Sequence, residues 1–167
     1  MTKYLEDMSR EEKLEIIRRP GRSREQLLSI LLDLQKLSAS SSIDEETALL
    51  VADEMDLSEA KIFEILTFYA MLADKPQGKY VLEICKSTPC HYSGSDKIAE
   101  IVREELGIGV GETTADGMFS VKYVPCVGAC DIGPVIRTCE HTIGNLTREK
   151  IHALIEQLRN GGEVTAC

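Results

Sequence analysis

Residues 85–95 read CKSTPCHYSGS, and the two cysteines in this stretch decide how the rest of the chain is interpreted. Four residues separate Cys85 from Cys90, a gap that suits a metal site and is too wide for a Cys-x-x-Cys redox pair. The spacing does not exclude a disulfide. A second pair, Cys126 and Cys130, follows after thirty-five residues, so the surrounding sequence has to distinguish these possibilities.

The composition excludes several classes of function. The 167 residues carry a formal net charge of −9, and such an acidic surface repels phosphate backbones and anionic lipids. We therefore expect no nucleic-acid binding and no direct membrane contact, since no apolar run approaches the ~18 residues of a spanning helix. The first residues, MTKYLEDMSREEK, lack the apolar stretch of a signal peptide, which predicts a cytoplasmic protein. In a reducing compartment, clustered cysteines hold metal or perform redox chemistry more often than they form disulfides.

Residues 1–76 predict a small bundle of short helices. Helix start signals recur as a serine followed three residues later by Glu or Gln: Ser9 with Glu12, Ser23 with Gln26, and Ser42 with Glu45. Ser58 is placed to cap a fourth helix, KIFEILTFYAML. The pattern places no group of polar residues inside the bundle and contains no catalytic constellation. It therefore favours a docking or scaffolding role for this part of the chain.

Residues 77–167 predict a small α/β domain. Pro76 and Gly78 form a turn signal, after which KYVLEIC (79–85) has the composition of a short strand. The further elements, in order, are a helix over 95–107, strands over 118–126 and 135–140, a short strand near 142–144, and a helix over 147–162 capped by Thr147. This order of strands and helices predicts a thioredoxin-like fold.

Each cysteine pair begins at the C-terminal end of a predicted strand, the edge of an α/β sheet where ligands usually bind. If the two strands are neighbours, four thiolates meet at one place. Zinc takes four ligands around one tetrahedral centre, whereas a 2Fe–2S cluster has two irons that each take two thiolates. Small residues at 127–129 allow backbone N–H groups to approach and donate to the inorganic sulfide of such a cluster, and in the first loop Thr88 and the backbone after Pro89 are candidates for the same role. The spacing leaves zinc and iron–sulfur open and favours both over a disulfide framework.

Longer stretches around the cysteines carry a resemblance to a known family. They are TFYAML (67–72), STPC (87–90), TTADGMFSVKYVPCVGACDIGP (113–134) and GNLTREKI (144–151). Together with the four-cysteine pattern, they resemble the thioredoxin-like 2Fe–2S ferredoxin family. The resemblance is closest to the small iron–sulfur subunit of NADH dehydrogenase and its relatives in NAD(P)-linked hydrogenases, formate dehydrogenases and electron-bifurcating complexes.

The resemblance implies a fold, a cofactor and partners. It implies one 2Fe–2S cluster, with Cys85 and Cys90 on one iron and Cys126 and Cys130 on the other. It also implies that the N-terminal helices dock onto a subunit that binds flavin (FMN) and NAD(P), with a further catalytic subunit such as a hydrogenase or dehydrogenase. The chain would then be an oxidoreductase subunit that exchanges single electrons with that flavin, at a low potential because its surroundings are acidic.

Other features are given simpler interpretations. No glycine loop has the strand–turn–helix setting of a phosphate site, so we expect neither NAD nor flavin on this chain, which holds no complete active site of its own. His91 follows Cys90, but no second histidine lies near Cys126, which argues against a Rieske-type centre. Cys139 is interpreted as a half-buried strand residue, Cys167 as a terminal thiol, and the aromatic residues at 68–69 as packing residues. The alternative function is a zinc-stabilised thioredoxin-like interaction module without a redox role.

Overall fold

The computed structural model describes residues 4–19, 23–138 and 141–161, which form two compact units, Met1–Pro76 and Gln77–Cys167. The first unit contains four helices: α1 (Arg10–Arg18), α2 (Leu27–Leu37), α3 (Glu45–Glu54) and α4 (Glu59–Phe68). The second unit contains the following elements: β1 (Tyr80–Cys85), α5 (Thr88–Tyr92), α6 (Ser95–Leu106), β2 (Phe119–Val124), β3 (Ile136–Thr138), β4 (His141–Ile143) and α7 (Arg148–Arg159). The predicted α/β class with preceding helices is confirmed. Within the described residues, none of the helices has both the length and the apolar character needed to cross a lipid bilayer.

Capping interactions fix where the helices of the first unit begin. At α1 the predicted capping box is present, because Ser9 Oγ accepts from the Glu12 N–H and the Glu12 carboxylate accepts from the Ser9 N–H. Ser58 caps α4 as predicted. The prediction for α3 is wrong: its cap is Asp44, whose carboxylate accepts from the Thr47 N–H at 2.7 Å. Asp44 directly precedes the first helical turn, and its charged acceptor also suits the positive end of the helix.

Two further details of the helical unit differ from the sequence prediction. A 3₁₀ turn, Arg24–Gln26, precedes α2, and Gln26 occupies its N-cap position without a side-chain cap. The helix α4 ends at Phe68, so the residues up to position 72 lie beyond it. Both differences concern the ends of helices, where local sequence constrains the backbone least.

Besides its apolar core, the helical unit buries four polar residues: Lys13, Ser38, Ser42 and Thr47. The side chain of Lys13 is only 5% exposed, and its Nζ donates to Thr47 Oγ1 at 3.1 Å. The sequence predicts no group of polar residues inside the bundle, and this contact places one polar pair there, between α1 and α3. The aliphatic stem of lysine packs among apolar residues, and the hydroxyl of Thr47 gives its ammonium group a partner.

The second unit is built on a four-stranded sheet of order β2-β1-β3-β4. The strands β1 and β2 are parallel, and Cys85 at the end of β1 pairs with Val124 at the end of β2. Helix α6 lies in the crossover connection that a parallel pair requires. The other two pairings, β1 with β3 and β3 with β4, are antiparallel. Apolar residues of α6 and α7 share one core with the alternate residues Tyr80, Leu82 and Ile84 of β1.

Three charged residues, one on each of three neighbouring strands, form a cross-strand ion cluster. Glu83 on β1 lies between Lys122 on β2 and Arg137 on β3, and both are its register partners. Its carboxylate oxygens lie 3.2 Å from Lys122 Nζ and 2.5 Å from Arg137 Nε. Opposite charges directly across strands favour this register over neighbouring ones.

Candidate metal centre

The parallel pair β1 and β2 brings the two cysteine loops to the same edge of the sheet. Cys85 is the last residue of β1, and Cys126 lies two residues beyond the end of β2. The two loops are joined directly where they leave the strands, because the Lys86 N–H donates to the carbonyl of Val124 at 3.1 Å. The two strands are therefore neighbours, which is the condition under which the sequence places four thiolates together.

The first loop is held by a short helix that the sequence analysis did not predict. Helix α5 has only five residues and carries Cys90 in its middle, with Pro89 in its first turn where a missing N–H is harmless. The turn of this helix brings Cys90 back towards Cys85. Both residues are buried, each only 1% exposed, and the two thiols are close enough for each to shift the pKa of the other.

The second loop is held by backbone conformation. Cys126 and Cys130 are exposed, and their sulfur atoms lie 3.6 Å apart. Two thiolates bound at ~2.3 Å to one tetrahedral metal are about 3.8 Å apart, so this pair has the spacing for a single metal centre. Gly128 adopts a φ of +86°, and its N–H donates to Cys126 Sγ at 3.4 Å. This left-handed conformation is readily available only to glycine, which explains the residue type between the two cysteines.

The ionisation of the first pair is strongly biased by its surroundings. Burial raises the pKa of Cys85, but hydrogen bonds from the Ser87 hydroxyl and from the N–H groups of Ser87 and Val127 outweigh it. The net pKa of Cys85 is lowered. In Cys90, burial raises the pKa to about 11, and the hydrogen bond with Cys85 acts in the same direction. Two thiols this close do not ionise together unless a cation compensates their charge.

The second pair shows the same division between its two members. The Gly128 N–H lowers the pKa of Cys126, and the hydrogen bond with Cys130 adds to this effect. The pKa of Cys130 is raised, first by its hydrogen bond with Cys126 and then by burial and nearby charges. Each loop thus presents one thiol with a lowered pKa and one thiol with a raised pKa. Metal binding requires both as thiolates, so it would release protons from this site.

The two pairs meet at one site but do not surround one point. The charge of Cys85 acts on Cys126 and Cys130, and the charge of Cys130 acts on Cys90. Nevertheless, across residues 4–19, 23–138 and 141–161, no three His, Cys, Asp or Glu side chains converge as the ligands of one metal ion. A two-iron cluster takes one pair of thiolates at each iron, so a donor set of two thiol pairs fits a 2Fe–2S cluster.

Backbone donors around the sulfurs support the same interpretation. The N–H groups of Val127, Gly128 and Val135 interact with Cys85, Cys126 and Cys90 respectively, so three of the four sulfurs have an amide donor. Amide donors stabilise thiolate ligands and adjust the potential of iron–sulfur centres. The Gly128 N–H donates to a cysteine sulfur, and the expected donation from this loop to inorganic sulfide stays a prediction.

A glycine distant in sequence supports the second loop from behind. Cys130 begins a 3₁₀ turn, Cys130–Ile132, and the Asn145 N–H donates to the carbonyl of Ile132 at 2.5 Å. A Cβ atom on Gly144 would collide with that same carbonyl and with the Ile132 side chain. Only glycine at position 144 permits this close approach, so the segment after β4 helps to shape the cysteine loop.

The remaining predicted residues are exposed or lie outside the described part of the chain. His91 Nδ1 lies 3.1 Å from a carboxylate oxygen of Asp96, and its exposure agrees with its interpretation as a surface residue. Phe68 is 76% exposed, so it is not a core residue of the helical unit, and its interpretation as an inter-domain packing residue stays a prediction. Cys139 and Cys167 lie outside the described residues.

The hydroxyl that contacts a cysteine sulfur in the first loop belongs to Ser87 and not to Thr88. Thr88 is exposed, and among the described residues its hydroxyl has no sulfur partner. Ser87 Oγ lies 3.4 Å from Cys85 Sγ. The signal that could have identified Ser87 is its position directly before a Thr-Pro helix start, which fixes it at the N-cap.

Comparison with known proteins agrees with this site. A family model described as thioredoxin-like [2Fe-2S] ferredoxin matches residues 13–159. The chain belongs to this family. Membership implies one 2Fe–2S cluster, which is the cofactor that the sequence predicts and the thiol layout fits.

Two relatives show how far the similarity extends. One of them, a subunit of the NADH-quinone oxidoreductase of Rickettsia bellii, is 34% identical over 84% of each chain. The NADP-reducing hydrogenase subunit HndA of Solidesulfovibrio fructosivorans is 33% identical over 64% of this chain, which spans 63% of that relative.

A solved structure agrees in fold. The crystal structure of an NAD⁺-reducing [NiFe]-hydrogenase in the air-oxidised state matches 84% of this chain with a TM-score of 0.70 and 21% identity. The match spans 24% of the hydrogenase chain, so the similarity is one of fold.

Proposed function

We propose that this chain is the electron-transfer subunit of a multi-subunit NAD(P)-linked oxidoreductase. In this proposal, Cys85 and Cys90 bind one iron of a 2Fe–2S cluster, and Cys126 and Cys130 bind the other. When bound, such a cluster takes up and releases one electron at a time. The observation that carries the proposal is the meeting of two thiol pairs at one edge of the sheet, each with its own backbone support.

The two loops have different parts in this function. The buried pair of the first loop anchors the site inside the domain and keeps water from that side. The exposed pair of the second loop leaves the other side open at the protein surface. We propose that the flavin-bearing, NAD(P)H-oxidising partner approaches this open side, where the distance for electron transfer is shortest.

The helical unit provides a surface for that partner. A groove of about 440 Å³ between α3 and α4 is lined mainly by apolar side chains, with Leu49 and Phe63 exposed at 40% and 61%. Its polar lining consists of the carboxylates of Glu45, Glu59 and Asp74. Such a groove fits a partner segment with a large apolar side chain flanked by Lys or Arg. We propose that the flavin-bearing subunit supplies this segment, in the reducing environment of the cytoplasm.

The cofactor proposal is tested by composition and colour. Protein purified without oxygen should contain two irons and two acid-labile sulfides per chain, by the definition of the cluster. It should show visible charge-transfer absorption that bleaches on reduction. A redox titration should give a negative midpoint potential, since a chain of net charge −9 disfavours added negative charge. Colourless protein that contains zinc without iron or sulfide would support the interaction module instead.

The partner proposal needs the native complex. Purification through a tag on this chain should recover a subunit that contains FMN, in a complex that oxidises NADH or NADPH. Exchange of Phe63 for Asp should release that subunit while the iron content of this chain stays unchanged. Recovery of a complex without flavin would contradict the proposed partner.

A further inference from the structure

Ser87 stands at a helix N-cap but does not cap the helix. It is the N-cap residue of α5, a position at which a serine hydroxyl ordinarily accepts a hydrogen bond from the second or third helical N–H. No such side-chain bond is present at α5. Instead, Ser87 Oγ lies 3.4 Å from Cys85 Sγ, while its carbonyl accepts from the His91 N–H at 2.9 Å. The backbone therefore maintains the helix, and the hydroxyl is available to sulfur.

Ser87 also lies beside the second cysteine loop. Ser87 and Cys126 line one surface depression together with residues of the β2 end, including Val124. Among the described residues, no other hydroxyl is hydrogen-bonded to a cysteine sulfur.

Thiolate chemistry determines the direction of these hydrogen bonds. Free thiols can donate, so either atom can be the donor between Ser87 and Cys85 in the metal-free protein. Thiolates bound to metal have no proton and can only accept. In the hydrogen bond with a Cys85 thiolate, the Ser87 hydroxyl is therefore the donor. Because electron uptake at the site makes or breaks no covalent bond, this proton stays on Ser87 Oγ and acts through its charge alone.

We propose that Ser87 is a positioning residue whose hydroxyl, 3.4 Å from Cys85 Sγ, raises the reduction potential of the site. The inference rests on the proposed function, since Cys85 must be a cluster ligand. A donor to a ligand sulfur stabilises the reduced form more than the oxidised form, because the reduced form carries the additional negative charge. Ser87 therefore partly offsets the effect of the acidic protein.

The experiment is a redox titration of intact protein with four variants. Ser87→Ala and Ser87→Val remove the hydroxyl, Ser87→Thr retains it with the shape of valine, and Thr88→Val removes the adjacent hydroxyl that has no sulfur partner. We expect the first two to lower the equilibrium constant for one-electron reduction by up to about tenfold, which is about 59 mV. Ser87→Thr and Thr88→Val should stay close to the unmodified protein.

Several results would overturn the inference, and they differ from a failure of the proposed function. If the unmodified protein contains no iron or sulfide, the proposed function itself fails. If Ser87→Ala retains full iron and sulfide with an unchanged midpoint potential, only the inference fails. If both hydroxyl-free variants lose the cluster while Ser87→Thr keeps it, the hydroxyl serves assembly and not potential, which also contradicts the inference. A lower midpoint for Ser87→Val than for Ser87→Thr, at equal iron content, would support it.

Discussion

The two cysteine loops hold chemically identical pairs by different means. In the first loop, a strand end and the five-residue helix α5 fix Cys85 and Cys90 in the interior. In the second loop, Cys126 and Cys130 remain exposed, and their spacing depends on a glycine turn and on a contact from a distant segment. The comparison shows that hydrogen-bonded secondary structure and a single permitted backbone conformation are two routes to the same local geometry.

The largest expected difference between the loops concerns the loss of one ligand. Cys90→Ser should reduce the iron and sulfide content nearly to zero, because the buried helix α5 cannot shift to bring a shorter hydroxyl ligand to the metal. Cys130→Ser should retain a measurable fraction, because the exposed turn can adjust. Iron and sulfide assays on anaerobically prepared protein measure the effect.

Cys167→Ser is the control for both ligand variants. From the sequence we interpret Cys167 as a terminal thiol without a role in the cluster. Its exchange should therefore leave the iron and sulfide content unchanged. Equal losses in Cys90→Ser and Cys130→Ser would remove the distinction between the two loops.

The next largest effect is expected where Gly144 approaches Ile132 and supports the second cysteine loop. Gly144→Ala places a Cβ atom against the carbonyl of Ile132, and such overpacking costs about 1–3 kcal/mol of unfolding free energy. Thermal unfolding should therefore begin at a lower temperature, and cluster loss should be faster. In the control Gly109→Ala, the new atom meets only the flexible carboxylate of Glu112 at 3.3 Å. A Gly144→Ala protein as stable as this control would contradict the described contact.

The strands and the cysteine edge could be predicted because their signals are local. The strand β1 and the helix α6 show the composition and periodicity of their class, and both parallel strands lead directly into cysteines. Parallel pairing then follows from the intervening helix, and with it the meeting of the two loops. Most of the candidate site is thus contained in short stretches of sequence.

The features that the sequence did not predict are short elements or contacts between residues that are distant in sequence. Helix α5 spans five residues, too few for a hydrophobic period to be recognised. The approach of Gly144 to Ile132 joins residues twelve apart through the fold, and the contact of Lys13 with Thr47 joins two helices. Ser87 was missed because its contact with Cys85 Sγ accompanies the N-cap of helix α5, which was not predicted.

A smaller effect should distinguish backbone strain in the second cysteine loop from backbone strain elsewhere in the same unit. Gly128 and Gly94 have φ values of +86° and +100°, and neither has an atom within 4 Å of an added Cβ. Exchange of either for alanine should therefore cost a similar ~1–2 kcal/mol through backbone strain alone. Only Gly128→Ala should also accelerate cluster loss, because the Gly128 N–H donates to Cys126 Sγ. Chemical denaturation measures the first effect, and the decay of visible absorption measures the second; equal decay in both variants would argue against this role of the turn.

The smallest expected effect is on the stability that a contact between α6 and α7 contributes. This contact lies outside both cysteine loops, so we expect it to influence them equally. His152 on α7 lies 3.0 Å from a carboxylate oxygen of Glu105 on α6. The hydrogen bond with Glu105, and then its charge, raises the pKa of His152 in the folded protein. A raised pKa means that the stabilisation is complete below the ordinary histidine pKa of about 6.5 and is lost as the pH rises through the folded value. The difference in melting temperature between the unmodified protein and His152→Gln should therefore be largest in mildly acidic buffer and disappear in alkaline buffer. Because the pair is exposed, 0.5 M salt should reduce the difference, and a difference independent of both pH and salt would assign the effect to packing.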